Sequence, residues 1–362
     1  MPNPTAFYYS DGMLKYQFGP DHPSQPIRYR LIKETLEGMG VFGETLVMLQ
    51  PEPADIYQIE RVHGPEYIER IRAECAKGQG YLDDGDTPAN ETLFDGTLAC
   101  VGGTLEAVRA VAEGRFEHAM NPSGGFHHAR PDGAAGFSVF NDVAIAVRML
   151  QQDYGFKRIA VIDTDGHHGD GTQSIFYEEK VLTISFHRYG NGFFPSTGSI
   201  KEIGKGEGCG YCINVPLPCG TQDEVYVPAF RKIVTEALRE FKPDFIIHVF
   251  GTDAHRDDDM VRLGLTTKAF ERIAETTHHL AHHLCEGRYV IVGGGGYNLS
   301  ATRRSWAIAA CVISGSYPDN PEGLHHLQDP CIYHRTEIGV READAAVRNV
   351  MDNVLPMMRG AP

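Results

Sequence analysis

The alternation of short β-branched runs with longer amphipathic stretches constrains the fold of this chain most strongly. The short runs, which predict buried strands, lie at 158–162, 181–185, 244–250 and 288–292. The amphipathic stretches, which predict helices, lie at 141–153, 225–240, 267–286 and 302–314. Such alternation is typical of an α/β protein with a central, mostly parallel sheet flanked by helices. Because no linker rich in Pro, Gly or Ser divides the chain, we expect one domain over residues 1–362.

Composition excludes several classes of protein and partner. The net charge of -15 argues against a nucleic-acid partner, because phosphate binding needs clustered Lys and Arg. No apolar run reaches the roughly 18 residues of a transmembrane helix, so we expect no membrane partner. Residues 1–11 lack the basic and apolar regions of a secretory signal, which predicts a cytoplasmic protein. The eight cysteines are scattered, and the Cys209–Cys212 pair has no second pair to complete a metal site, so we assign it no function.

Unusual polar residues follow the predicted strands. Segment 163–170 reads Asp-Thr-Asp-Gly-His-His-Gly-Asp, segment 251–259 contains Asp and His, and segment 293–298 reads Gly-Gly-Gly-Gly-Tyr-Asn. A shorter strand-like segment at 118–120 leads to a histidine pair at 127–128. In an open parallel sheet such loops lie together at the carboxyl edge of the strands, where α/β proteins build their sites. We therefore predict the active site at this edge.

Asp165, His167 and Asp253 are the predicted metal ligands. Asp165 and His167 are two residues apart, so their side chains point the same way on an extended segment. Asp253, at the end of another strand, could complete the set and leave positions open for water and substrate. This ligand set fits Zn²⁺, and also Fe²⁺, Co²⁺ or Mn²⁺.

The adjacent His127 and His128 are predicted to transfer protons. Asp163 and Asp170 flank the proposed ligands, and each could accept the outer ring N–H of one histidine. A histidine held in this way supplies a base for water and an acid for a leaving amine. Tyr297 ends the glycine run, which matches no phosphate-binding pattern, and its hydroxyl is predicted to stabilise an oxyanion.

Ordered motifs extend from about Gly19 to Ser314. They are Asp21-His22-Pro23 with Arg28, Asp86-Thr87-Pro88, segment 124–129, Gly136-Phe137, Asn141-Asp142, and segments 163–171, 192–195, 253–255 and 293–298. With these motifs the sequence resembles the arginase-fold zinc-dependent deacetylases, namely histone deacetylases, acetoin-utilisation proteins and acetylpolyamine amidohydrolases. The resemblance implies a three-layer arginase/deacetylase fold and removal of an acyl group, most often acetyl, from an acylated amine.

The resemblance also implies roles for individual residues. Zinc would bind Asp165, His167 and Asp253, His128 would be the general base and acid beside His127, and Tyr297 would polarise the acyl carbonyl. Substrate-binding positions would be Asp86 at the rim, the tunnel walls Phe137 and Phe194, and Gly136, Met260 and Gly295. A structural potassium ion would bind through Asp163, Asp165, His167, Ser185 and Phe186. Arg28 resembles the arginine of an internal acetate channel, with a surface salt bridge as the alternative.

Departures from the family pattern bear on the substrate. Gly166 replaces a larger apolar residue, Ser138 replaces a frequent cysteine, and an Asp257–Asp259 run replaces an Asp-Pro ending. Met260 stands where some polyamine-specific relatives carry an acid, which favours acyl-lysine of proteins over small acylated amines. An acid from 257–259 could still reach the tunnel mouth.

Other readings remain open on the sequence alone. A ureohydrolase would need two metals and a doubled Asp-x-Asp on the later strand, where this chain has Asp253-Ala254-His255. A non-catalytic ligand-binding scaffold would have lost metal ligands, and none is lost. Histidines 278, 279, 282 and 283 have helical spacing without an acidic neighbour, which predicts a solvated helix face. The oligomeric state is left open.

Overall fold

A parallel β-sheet forms the centre of the protein in the computed structural model, which describes residues 4–316, 322–330 and 337–358. Its strands are β1 (Thr5–Tyr8), β2 (Leu46–Leu49), β3 (His118–Asn121), β4 (Ile159–Asp163), β5 (Leu182–Arg188), β6 (Cys212–Leu217), β7 (Phe245–Val249) and β8 (Tyr289–Val292). They lie in the order β2-β1-β3-β8-β7-β4-β5-β6, and every neighbouring pair is parallel. This arrangement confirms the predicted α/β fold class.

Helices flank the sheet. They are α1 (Ile27–Gly38), α2 (Ile56–Ile59), α3 (Pro65–Lys77), α4 (Leu93–Ala112), α5 (Asp142–Asp153), α6 (Asp170–Phe176), α7 (Asp223–Phe241), α8 (Thr267–Cys285), α9 (Leu299–Ser314), α10 (Glu322–His325), α11 (Val340–Asn349) and α12 (Leu355–Met358). Helix α8 packs between α7 and α9, and α9 also contacts α1, whereas α4 packs with α5. No helix within the described ranges has the length and apolar character needed to cross a membrane.

The strands and helices predicted from periodicity are present, with ends that differ by at most three residues. The short strands β1 and β2 were not predicted, because four residues carry too little periodic signal. Helix α4 was not predicted either. It is buried on most of its surface, so its sequence lacks the polar face that marks an amphipathic helix.

The strand order decides which loops meet. Strands β3, β8, β7 and β4 are consecutive in the sheet, and every residue in them is buried. Parallel strands buried on both faces read as nearly continuous apolar runs, which explains the strong strand signal at β4, β7 and β8. Because all four run in one direction, the polar segments that follow them lie side by side at the carboxyl edge.

Candidate active site

The glycine run after β8 allows the loops at the carboxyl edge to approach closely. A Cβ atom on Gly295 would lie 2.3 Å from Oδ2 of Asp253, so only glycine fits there without displacing that carboxylate. The backbone N–H of Gly295 instead donates to Oδ2 of Asp165 at 2.5 Å. The run therefore packs against the carboxylates that follow two separate strands.

Asp165, His167 and Asp253 form a compact buried cluster. Nδ1 of His167 lies 2.9 Å from Oδ2 of Asp253 and 3.2 Å from Oδ1 of Asp165. Gly166 N–H donates to the other oxygen of Asp253 at 2.7 Å, which orients that carboxylate. Burial and the charge of Asp165 raise the pKa of Asp253 to about 7. Two buried carboxylates beside one imidazole are costly without a cation, so the donor set fits a divalent metal ion of the zinc type.

Two histidine–carboxylate pairs lie against this cluster. Nδ1 of His127 is 2.6 Å from Oδ2 of Asp163, and Nδ1 of His128 is 2.7 Å from Oδ1 of Asp170. The two Nε2 atoms are 3.0 Å apart. A carboxylate only accepts, so each histidine carries a proton on Nδ1 and directs Nε2 into the site.

The two histidines differ in their electrostatic surroundings. Burial, reinforced by the neighbouring His127, lowers the pKa of His128 to about 4. Burial also opposes protonation of His127, but the charges of Asp163 and Asp165 outweigh it and raise the pKa of His127 to about 9. At neutral pH the pair therefore contains one imidazolium and one imidazole, and Nε2 of His128 carries a lone pair that can accept a proton.

A buried carboxylate that sequence reasoning assigned no role fixes the histidine loop. Asp142 accepts the backbone N–H of Gly125 at 2.9 Å and of Phe126 at 2.7 Å, and the hydroxyl of Thr104 at 2.6 Å. Asn141 beside it caps α5 through the N–H of Ala144. The sequence did contain a signal for this role, because Asp142 directly follows a helix-capping Asn in an otherwise apolar stretch.

Aromatic rings surround the entrance above the cluster. The Phe194 ring, 40% exposed, lies 5.0 Å from the ring of His128, and Phe137 lies 6.0 Å from Tyr297. A Cβ on Gly136 would be 2.6 Å from Cδ2 of His128, so this position must be glycine for the backbone to approach the histidine this closely.

Two further aromatic features were not predicted. Phe193 stacks on His167 with ring centres 5.1 Å apart, and so orients the imidazole of a candidate ligand. Phe137 has a φ of 63°, a left-handed conformation that is uncommon for a bulky residue. Its carbonyl accepts the Tyr16 hydroxyl at 2.5 Å and its N–H donates to Thr87, which hold the ring in place.

Tyr297 and Arg28 line the same cavity as the two histidines. Burial and the charge of Asp253 raise the pKa of Tyr297 well above its ordinary value, so its hydroxyl remains a hydrogen-bond donor. Arg28 is buried and donates to the carbonyl of Gly296 at 3.0 Å and to the Tyr29 hydroxyl at 3.2 Å. The surface salt bridge considered for Arg28 is therefore wrong.

The acidic run at 257–259 is only partly available to a substrate. Asp258 is buried and accepts the backbone N–H of Tyr297 at 2.8 Å, so it positions the tyrosine loop and does not present its charge at the surface. Asp257 and Asp259 are exposed, and Met260 is half-buried. Asp86 is exposed, and its carbonyl oxygen lies 3.2 Å from Nε2 of His22.

The remaining singled-out residues lie beside or away from the site. Ser185 pairs in register with Asp163, and Phe186 is buried, so these proposed potassium positions belong to neighbouring strands. Cys209 contacts Met357 and Cys212 contacts Gln173, and neither forms a disulfide.

The expected solvated face on α8 is correct for His279 and His283, which are exposed. It is wrong for His278, which is half-buried and contacts the buried His118. Periodicity within α8 could not show that a strand residue distant in sequence covers one side of this face.

The chain is similar in sequence and structure to several known proteins. Residues 22–313 match the histone deacetylase domain. The acetoin utilization protein AcuC of Bacillus subtilis (strain 168) is 35% identical over 339 residues, which cover 90% of this chain and 87% of that protein. A probable deacetylase of Archaeoglobus fulgidus is 37% identical over 300 residues, 82% of each chain. The crystal structure of the HDA15 HD domain has a TM-score of 0.84 and 28% identity, covering 99% of this chain and 97% of that one.

Proposed function

The chain belongs to the histone deacetylase domain family, and we propose that it is a zinc-dependent enzyme that removes acetyl groups from acetylated lysine side chains of proteins. The family supports deacetylation of an acylated amine. The observation that carries the finer proposal is the meeting of a metal-type cluster, two histidine–carboxylate pairs and a tyrosine hydroxyl at one cavity.

Asp165, His167 and Asp253 would hold the zinc ion, with Fe²⁺ or Co²⁺ as alternatives of similar ligand preference. When bound there, the ion acts as a Lewis acid on the acyl carbonyl and on water. We also propose a structural potassium ion near the adjoining ends of β4 and β5, at Asp163, Asp165, His167, Ser185 and Phe186.

The chain's own residues would move the protons. His128, neutral at Nε2 and fixed by Asp170, would take a proton from the attacking water and return it to the leaving amine. His127, held charged by Asp163, would stabilise negative charge as it develops. Tyr297, protonated and positioned by Asp258, would donate its hydroxyl hydrogen to the acyl oxygen.

The substrate proposal depends on the entrance. Phe137 and Phe194 would pack against the methylene chain of a lysine, and Asp86 at the rim would accept N–H groups of the substrate backbone. Met260 provides an uncharged, adaptable wall where a second ammonium group of a polyamine would need an acid. Asp258 cannot supply that charge, because it is buried beneath the tyrosine loop.

The runner-up is deacetylation of a small acylated amine such as an acetylpolyamine, which the exposed Asp257 and Asp259 would favour. A ureohydrolase is disfavoured because the side chain of His255, two residues after Asp253, is turned to a buried hydrogen bond with the carboxylate of Asp329 at 2.7 Å. The His255 side chain therefore does not contribute to the cluster of Asp165, His167 and Asp253, where a second metal ion would need it.

The test is a comparison of kcat/KM on zinc-loaded protein for an acetyl-lysine peptide, N-acetylputrescine and N8-acetylspermidine. We expect the peptide to be preferred, and Met260→Glu to move the preference toward the polyamines, because a desolvated carboxylate attracts their extra ammonium group. Met260→Gln is the matched neutral control. A parent that already prefers acetylpolyamines would refute the lysine assignment.

His128→Ala is the chemical control for the same assay. It should retain zinc while losing turnover of every substrate, because His128 is not among the proposed ligands but supplies the base. Substantial turnover by this variant would remove His128 from the mechanism.

A further inference from the structure

A second group of histidines converges at the opposite edge of the sheet. His118 is the first residue of β3, whereas the active-site loops follow the last residues of the strands. His278 and His282 are one turn apart on α8 and face His118. The three Nε2 atoms lie 3.0 Å (118–278), 3.2 Å (118–282) and 2.9 Å (278–282) apart.

Hydrogen bonds alone cannot satisfy this triangle. Each Nε2 either carries a proton and donates, or lacks one and accepts. Because there are three Nε2 atoms and only two states, at least two of the atoms must be in the same state. Along the edge that joins those two, either two lone pairs or two N–H groups face each other. This holds for every tautomer and charge state of the rings. His118 is 2% exposed, so water cannot easily take over its nitrogen, and its Nδ1 has no hydrogen-bond partner among the described residues.

A divalent cation resolves the conflict, because it accepts all three lone pairs at once. Zinc binds imidazole nitrogen at about 2.0–2.1 Å in tetrahedral geometry, which places the nitrogens about 3.3 Å apart. The observed edges need to open by only a few tenths of an ångström. The His118 ring is nearly perpendicular to those of His278 and His282, at 83° and 86°, so the three Nε2 atoms meet from rings of different orientation.

The surroundings add features of a metal site. Oε1 of Glu117 lies 3.4 Å from Nδ1 of His282, the arrangement in which a carboxylate orients a metal-bound imidazole. His282 is 39% exposed, so the fourth coordination position opens to solvent. His279 and His283 have the same spacing on α8, and there the ring of His283 contacts the ring and the backbone carbonyl of His279.

We propose that His118, His278 and His282 bind a second divalent transition-metal ion, with Zn²⁺ as the expected ion, at the amino edge of the sheet. An ion at this position would tie α8 to β3 and thereby stabilise the strand whose other end leads to His127 and His128. The three nitrogen ligands favour zinc, copper or nickel over magnesium or calcium.

The test measures zinc per chain by elemental analysis, after the full-length protein is equilibrated with Zn²⁺ and separated from unbound metal. We expect two equivalents for the parent, one for His278→Gln, and two for the matched control His279→Gln. Glu117→Gln should weaken binding of the second equivalent by about 10–100-fold, the usual effect of losing a carboxylate behind a ligating histidine.

The outcomes separate this site from the catalytic one. A parent with a single zinc that Asp253→Ala removes and His278→Gln does not would overturn the proposal and leave the deacetylase assignment intact. A single zinc lost in His278→Gln but kept in Asp253→Ala would support the site and count against the catalytic ligands. Equal loss in His278→Gln and His279→Gln would show surface binding by helix histidine pairs and also overturn it.

Discussion

Gly166 and Val261 offer a sharp test of how the ligand loop is packed. Gly166 lies between the proposed ligands Asp165 and His167. A Cβ on Gly166 would lie 2.5 and 2.6 Å from the two γ-carbons of Val261 and 3.0 Å from its Cβ. Val261 is fully buried, so its side chain occupies the space that a larger residue at 166 would take.

The expected cost of Gly166→Ala follows from these distances. Carbon atoms pack at about 3.5–4.0 Å, so both methyl groups overlap the new Cβ by about 1 Å. Rotation about χ1 cannot relieve this, because the Val261 Cβ itself is too close, and the backbone must move. Overpacking of this kind lowers the free energy of unfolding by about 1–3 kcal/mol, and we expect Gly166→Ala to lie in the upper half of that range.

Removing the Val261 methyl groups should reverse the effect. Val261→Ala alone should cost about 2 kcal/mol from the two buried methyl groups and the space left behind. In the double variant the new Cβ fills part of that space, so we expect Gly166→Ala to cost almost nothing there. The coupling energy between the two positions should reach about 2 kcal/mol, far above the scatter for independent sites.

The assay is urea unfolding of the four proteins in a double-mutant cycle, with zinc content and kcat/KM measured on each. Gly166→Ala should also lose zinc affinity, because the shift displaces Asp165 and His167 together, and the double variant should recover it. Additive stabilities, or a Gly166→Ala protein as stable and active as the parent, would refute the packing argument.

Two further predictions concern the tyrosine and a buried histidine. Tyr297→Phe should lower kcat by about 10²–10³ with zinc retained, the scale for losing one oxyanion donor, and an unchanged kcat would exclude the tyrosine from that role. Burial lowers the pKa of His63 to about 4 from 6.5, and its Nε2 accepts the Asn141 N–H at 2.9 Å. Below pH 6.5 the unfolded chain therefore binds a proton at His63, whereas the folded protein binds it only near pH 4. Over that interval the free energy of unfolding falls by about 3 kcal/mol. In urea unfolding between pH 7 and 4, the free energy of unfolding of His63→Gln should fall less steeply with decreasing pH, by the contribution of about one proton. An identical pH dependence in parent and variant would contradict the prediction.

Sequence reasoning reached the main features of the fold and the candidate residues because their signals are local. Strands β4, β7 and β8 are buried on both faces, so each appears as a nearly continuous apolar run, and the polar residues that follow it mark the carboxyl edge. The spacing of Asp165 and His167 and the glycine run before Tyr297 are likewise properties of a few consecutive residues. Helix α4 and the short strands β1 and β2 were not predicted in this way, since neither a mostly buried helix nor a four-residue strand shows a clear period.

Only the tertiary structure decided which distant residues meet. Arg28 could have faced solvent, and its burial against Gly296 depends on how α1 packs beside the glycine loop. The contact of His118 with α8 joins residues 160 and 164 positions apart. The contact of Val261 with Gly166 likewise joins residues that are far apart in the sequence. Such contacts depend on strand order, register and the volumes of facing side chains, which no single segment determines. Periodicity and loop chemistry, in contrast, are properties of each segment by itself.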